Sequence, residues 1–234
     1  MTSLTHATVL VTGASGGLGK ALVRAALDRG ADRVYAASRT NTEWHDDRVV
    51  SLHVDLADAE SVELLAAQTR DATVLVNNAA VFPRGDLLTA DWDVVENTLE
   101  TNLTGPLRLT RALAPSLRAA HGALVNINSV LSWLAVGKAH SVSKAGAWMA
   151  TNALRLEFAP DGVQVLGVYP GPIDTPMQPG DDRSGMADPA DVAAAIYDAV
   201  EAGDDELVYG PTAEKVHGAL AAPVTALYPA LASR

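Results

Sequence analysis

Short β-branched runs alternate along the chain with longer stretches rich in Ala and Leu. The runs at 8–11, 33–37, 49–54, 73–76, 123–127, 164–168 and 206–208 read as buried parallel strands. Between them, residues 17–29, 59–69, 92–120, 141–158 and 189–202 carry apolar side chains at spacings of three and four, the period of an amphipathic helix. Alternation this regular implies right-handed crossovers and a parallel sheet. The pattern therefore predicts an α/β fold, a doubly wound parallel sheet in a single domain spanning 1–234. No repeat or low-complexity tract interrupts it. The loosest segment is 176–188, rich in Pro, Gly and Asp, which is either a lid over a site or a surface loop.

Composition narrows the partners. At 234 residues and 48% hydrophobic, the chain is long enough for one sizeable core. A net charge of -11 argues against nucleic acid, which needs basic patches to displace counterions from phosphates. The chain has no cysteine, which excludes disulfides and thiolate chemistry and fits a reducing compartment. The six His residues show no metal-ligand spacing, so no metal is expected. With no stretch of membrane-spanning length and no signal-peptide pattern at the start, the expectation is a cytoplasmic protein acting on a small molecule.

The first strand runs into Thr12-Gly13-Ala14-Ser15-Gly16-Gly17-Leu18-Gly19 and then directly into a helix. Glycines there let the backbone turn tightly against a pyrophosphate, and the helix N-terminus supplies unpaired N–H donors and a positive dipole end. A tight turn is the bland alternative, but the strand before and the helix after favour a dinucleotide site. The second strand ends at Ala37-Ser38-Arg39, without the acid that grips an adenosine ribose. Ser38 and Arg39 are then placed to receive a 2′-phosphate, which favours NADP over NAD, unless Arg39 is only a solvated loop charge.

The glycine segment, Asp55-Leu56, Asn77-Asn78-Ala79-Ala80, Asn102, Ser129, Lys144 and Pro170-Gly171 follow one another in the order and approximate spacing of the short-chain dehydrogenases/reductases. The chain resembles that family over essentially its whole length. The resemblance implies a seven-stranded parallel sheet with helices on both faces. It also implies that Gly13, Ser15, Gly16 and Leu18 form the phosphate loop and that Asp55 and Leu56 contact adenine. Asn78, Ala79 and Ala80 would pass beside the ribose near nicotinamide, and Pro170, Gly171, Ile173 and Thr175 would close over the nicotinamide ring. Taken singly, Asn77 and Asn78 could cap a turn and Pro170-Gly171 could break a loop.

By the same resemblance, Ser129 hydrogen-bonds a substrate oxygen, Lys144 holds the nicotinamide ribose and the carbonyl of Asn102 holds a water for proton relay. The family's Tyr belongs four residues before that Lys, one helical turn away. This chain has His140 there, and the interval from Ser129 to His140 is about two residues shorter than usual. Of the five tyrosines, only Tyr169 falls near the nicotinamide end, where it is otherwise an ordinary strand-end aromatic. Imidazolium is a stronger acid than phenol, but Lys144 disfavours the charged ring, and neutral imidazole is a poor proton donor. His140 is thus either a retuned acid/base or a drifted residue.

Three functions stay open on these residues. The first is NADP-dependent interconversion of a carbonyl and an alcohol by hydride transfer. The others are a non-redox lyase, isomerase or cyclase on the same fold, and a catalytically inactive NADP-binding protein. Trp133, Leu134, Trp148 and Met177 suggest an apolar substrate pocket, with plain core packing as the alternative. The helical stretches 92–120 and 141–158 carry more Ala, Leu and Trp than one sheet face needs. Since the family pairs these helices between subunits, a homodimer or homotetramer is expected.

Overall fold

A computed structural model describes residues 2–178, 180 and 182–231. Pro179 and Asp181, inside the 176–188 segment, lie outside the described residues.

Seven strands, β1 (Thr8–Thr12), β2 (Arg33–Ser38), β3 (Val49–His53), β4 (Val74–Asn77), β5 (Ala123–Ile127), β6 (Gln164–Pro170) and β7 (Glu206–Tyr209), form one sheet. Their order is β3-β2-β1-β4-β5-β6-β7 and all pairs are parallel. Successive side chains on each strand feed opposite faces. Val9, Val11, Val34, Ala36, Val74 and Val76 pack under α1 (Gly17–Asp28) and α6 (Pro189–Ala202). Leu10, Tyr35, Ala37 and Leu75 pack under α2 (Ala59–Gln68), with α3 (Trp92–Leu99), α4 (Gly105–Ala120) and α5 (Ala139–Phe158) following in the chain; α4 and the end of α5 complete this second layer. The sheet is therefore doubly wound, as the alternation predicts. Strand order reverses between β1 and β4, and the crevice this opens at the strand C-termini is where such sheets bind ligands.

Helix ends follow local chemistry. Asp58 caps α2 by accepting the Glu60 N–H (2.9 Å), and Asp188 caps α6 by accepting the Ala190 N–H (2.7 Å), with Pro189 at its first position. The N-terminus of α1 starts at Gly16 and carries no side-chain cap, so its first N–H groups face the crevice end of β1 without a local acceptor side chain.

The structure corrects three expectations. The runs at 49–54 and 206–208 are the two sheet edges rather than buried strands: β3 and β7 each have a neighbour on one side only, Ser51 and His53 are exposed, and no residue of β7 is buried. The 92–120 stretch is not one regular helix, because Glu100–Thr104 adopt a π turn between α3 and α4. Thr104 Oγ1 donates to the Leu99 carbonyl (3.2 Å), and Pro106, lacking an N–H, closes no α-helical bond on the Asn102 carbonyl. At Gly105 a Cβ would lie 2.2 Å from the Leu56 carbonyl oxygen, so only glycine lets the helix approach the loop after β3 this closely. Beyond β7, α7 (Pro211–Gly218) and α8 (Val224–Leu227) were not legible in the periodicity, being short and bounded by Pro and Gly.

Candidate active site

One cleft of about 810 Å³ runs along the C-terminal ends of the strands. Gly13, Ser15, Gly16, Leu18, Ser38, Arg39, Asp55, Leu56, Asn78, Ala79, Ala80, Ser129, His140, Lys144, Pro170, Gly171, Ile173 and Thr175 all border it. Of the proposed catalytic and cofactor-binding residues, only Asn102 does not; it is buried behind the cleft wall.

The glycine turn is tight for stated reasons. Gly13 has φ +69°, and a Cβ there would sit 2.8 Å from Ala79 Cα. A Cβ on Gly19 would lie 2.1 Å from the Gly13 carbonyl oxygen. Thr12, buried at the end of β1, ties the turn to the loop after β4, since its Oγ1 accepts the N–H groups of Asn78 (3.0 Å) and Ala79 (3.1 Å). Asn78 Nδ2 in turn donates to the Thr12 carbonyl (2.8 Å). The result is a rigid cradle whose floor is backbone and whose rear is the uncapped start of α1. Phosphate chemistry fits it: free N–H donors, a helix dipole and no room for side chains. At the far end Arg39 is exposed and forms no ion pair among the described residues.

The opposite end holds the titratable groups. Lys144 is 5% exposed, and its Nζ donates to the Ile127 carbonyl (2.6 Å). Burial pulls its ammonium down to about 8. His140, 4% exposed, lies in the first turn of α5 and stacks on Phe82 with ring centroids 4.4 Å apart. Burial first, and the Lys144 charge second, hold the imidazole down to about 4, against a weaker opposing pull from the Val81 carbonyl. The ring is therefore neutral at physiological pH, as the proximity of Lys144 suggests. Ser129, in extended conformation at the end of β5, accepts the Leu131 N–H on its Oγ (3.1 Å), which fixes the hydroxyl at the cleft edge.

Asn102 sits in the π turn and is 3% exposed. Its side chain grips the backbone of Val81 at both groups, with Oδ1 accepting the Val81 N–H (2.8 Å) and Nδ2 donating to the Val81 carbonyl (3.0 Å). Nδ2 also donates to Ser143 Oγ (2.9 Å). The side-chain oxygen is thus occupied, and Pro106 leaves the main-chain carbonyl without an α-helical donor.

Two alternatives left open by the sequence resolve toward core packing here. Tyr169 is fully buried and stacks on Trp133, centroids 4.7 Å apart, and burial drives its phenol upward, so it belongs to the core beneath α7 and not to the cleft. Trp133, Leu134 and Trp148 join that same cluster; of the proposed pocket residues only Met177 borders the cleft. The apolar cleft wall is instead built by Phe82, Pro83 and Leu131, which sequence reasoning missed. The one available signal was their position directly after Asn77-Asn78-Ala79-Ala80 and Ser129. The 176–188 segment is pinned at its base, where Ile173 bridges Ala187 and Arg183 Nη1 donates to the Thr175 carbonyl (3.1 Å).

The short chain dehydrogenase family model matches residues 7–184. The chain belongs to this family. It is 31% identical over 191 residues to trans-4-hydroxycyclohexanecarboxylate dehydrogenase of Sinomonas cyclohexanicum, covering 73% of this chain and 74% of that one. It is 32% identical over 182 residues to the NADPH-dependent 1-acyldihydroxyacetone phosphate reductase of Schizosaccharomyces pombe, covering 73% of this chain and 61% of the relative. A solved short chain dehydrogenase from Burkholderia cenocepacia, in complex with NADP, superposes with a TM-score of 0.89 at 35% identity, covering 98% of both chains. As a short-chain dehydrogenase the protein is an oxidoreductase enzyme. Among the described residues no cluster of His, Asp and Glu could hold a metal, and no helix is long and apolar enough to cross a membrane.

Proposed function

We propose that this chain works as one dinucleotide-binding and catalytic domain, an NADP-dependent oxidoreductase of the cytoplasm that interconverts a carbonyl and an alcohol on a small molecule. The observation that carries the reading is continuity: a single cleft joins the phosphate-type cradle and Arg39, which has no ion pair among the described residues, to Ser129, His140 and Lys144. Gly13, Ser15, Gly16 and Leu18 would hold the diphosphate against the α1 N-terminus. Ser38 and Arg39 would take the 2′-phosphate, in place of a ribose-binding acid. Asp55 and Leu56 would flank adenine; Asn78, Ala79, Ala80, Pro170, Gly171, Ile173 and Thr175 would confine the nicotinamide half. When bound, the dinucleotide supplies the hydride chemistry.

The chain's own groups do the rest. Ser129 donates its hydroxyl hydrogen to the substrate oxygen, Lys144 orders the ribose from its buried place on α5, and His140 exchanges the proton. Phe82, Leu131 and Met177 give the substrate an apolar wall. A comparison of wild type, His140→Tyr and His140→Phe in a carbonyl-reduction assay tests this. The expected order is Tyr variant at or above wild type, with Phe well below both; equal activity in wild type and the Phe variant removes His140 from the chemistry.

The reading extends to a homodimer or homotetramer. Val142, Met149 and Leu156 stand seven residues apart on one face of α5, and the last two are 60% and 78% exposed. An apolar stripe of this kind is suited to pairing with a second copy of itself.

A further inference from the structure

The two nitrogens of His140 meet different surroundings. Nδ1 lies 2.8 Å from the Val81 carbonyl oxygen. A carbonyl only accepts, so the ring nitrogen facing it must carry the hydrogen. Asn102 Nδ2 also approaches Nδ1 (3.3 Å), but its hydrogens are directed to Val81 and Ser143, and a protonated Nδ1 offers it no lone pair. Nε2 has no partner among the described residues, and the ring lines the cleft.

Nor is Val81 free to turn away. Asn102 holds its N–H and its carbonyl together, and the π turn holds Asn102. Ser143 Oγ accepts from Asn102 and donates to the His140 carbonyl (2.7 Å), which closes the ring of contacts on α5. We infer that Asn102, acting through the Val81 carbonyl, locks His140 as its Nδ1–H tautomer and presents a bare Nε2 to the cleft as a proton acceptor. Asn102 is on this account a positioning residue for His140, a role distinct from holding water.

The consequence rests on the redox reading above. In the alcohol-to-carbonyl direction the substrate O–H bond breaks and its proton goes to the Nε2 lone pair. The C–H electron pair of the same carbon leaves as hydride to an oxidised nicotinamide, and the C=O bond forms. Imidazolium then returns its proton to solvent. In the opposite direction the ring must first be protonated at Nε2. The groups facing His140 resist that charge: Lys144 from α5 is cationic, Asn102 and Ser143 are neutral, and the loop after β4 offers Phe82 and a carbonyl already in use. Arg84 lies over the Phe82 ring (4.7 Å), Asp86 is engaged by Lys138 (2.7 Å), and among the described residues no carboxylate hydrogen-bonds the imidazole.

The direct test is the long-range ¹H–¹⁵N correlation spectrum of the full-length protein labelled at histidine, recorded near neutral pH with and without NADP, with the His140 signals assigned by their loss in His140→Phe. A protonated Nδ1 with a pyridine-type Nε2 is expected. An Nε2–H tautomer, or imidazolium near neutral pH, overturns the inference. Asn102→Ala should mix the two tautomers; an unchanged signature in a variant that still binds NADP removes Asn102 from the role. Kinetically, alcohol oxidation should be flat across the neutral range while carbonyl reduction falls roughly tenfold per pH unit. Absence of turnover in both directions, with the Nδ1–H signature intact, would overturn the redox reading while supporting the tautomer.

Discussion

Replacing His140 by Phe should remove a specific acid sensitivity of the fold. The buried imidazole is held down to about 4 from its ordinary 6.5, by burial foremost. Above 6.5 the ring is neutral in folded and unfolded chains alike and contributes no pH dependence. Between 6.5 and 4 the unfolded chain takes up a proton that the native state refuses, so stability falls as pH falls and is lost in full only below the folded value. At about 1.36 kcal/mol per pH unit, the gap corresponds to about 3 kcal/mol. With a urea slope of roughly 3 kcal/mol per M for a chain of this size, the midpoint should drop by about 1 M more in wild type than in His140→Phe over that window. Urea unfolding of both proteins across the window measures it. The baseline cost of losing the bond to the Val81 carbonyl cancels, because only the difference in pH response is compared. Parallel pH responses in the two proteins would refute the claim that His140 is buried neutral.

Three further outcomes follow from the geometry. Arg39→Ala should weaken NADP binding by about tenfold or more while leaving NAD affinity nearly unchanged, as calorimetry with each would show, because one charge-assisted phosphate contact is lost. Gly19→Ala should lower stability by roughly 1–3 kcal/mol and impair coenzyme binding, since its Cβ would meet the Gly13 carbonyl oxygen at 2.1 Å; thermal melts and titration report both effects. Pairing Met149→Glu with Leu156→Arg should leave the monomer folded but dissociate any oligomer, read by light scattering; an unchanged mass would place the interface elsewhere.

Much of the fold was legible because a parallel sheet buried on both faces writes itself as short apolar runs, and the five inner strands sit in such surroundings. The edge strand β3 reads the same in sequence, since its apolar content reflects pairing on one side and contacts on one face. The glycine cradle was legible because close backbone approach excludes every other residue. Less could be read of the walls. That Trp133, Leu134 and Trp148 pack with Tyr169 under α7 depends on a C-terminal helix too short for periodicity to reveal. The π turn could not be seen either: 92–120 keeps a helical pattern throughout, and only Gly105-Pro106 marks the place where the hydrogen-bond ladder slips. The contact between Asn102 and Val81, which orients His140, joins residues 21 apart in sequence and has no local signature.

Calorimetric titration of the purified protein with NADP, oxidised and reduced, reaches the foundation of all this. One binding site per chain, lost in a Gly19→Ala variant that remains folded, is the expected result. No detectable heat with NADP or NAD in either oxidation state would contradict the assignment of the cleft as a dinucleotide site.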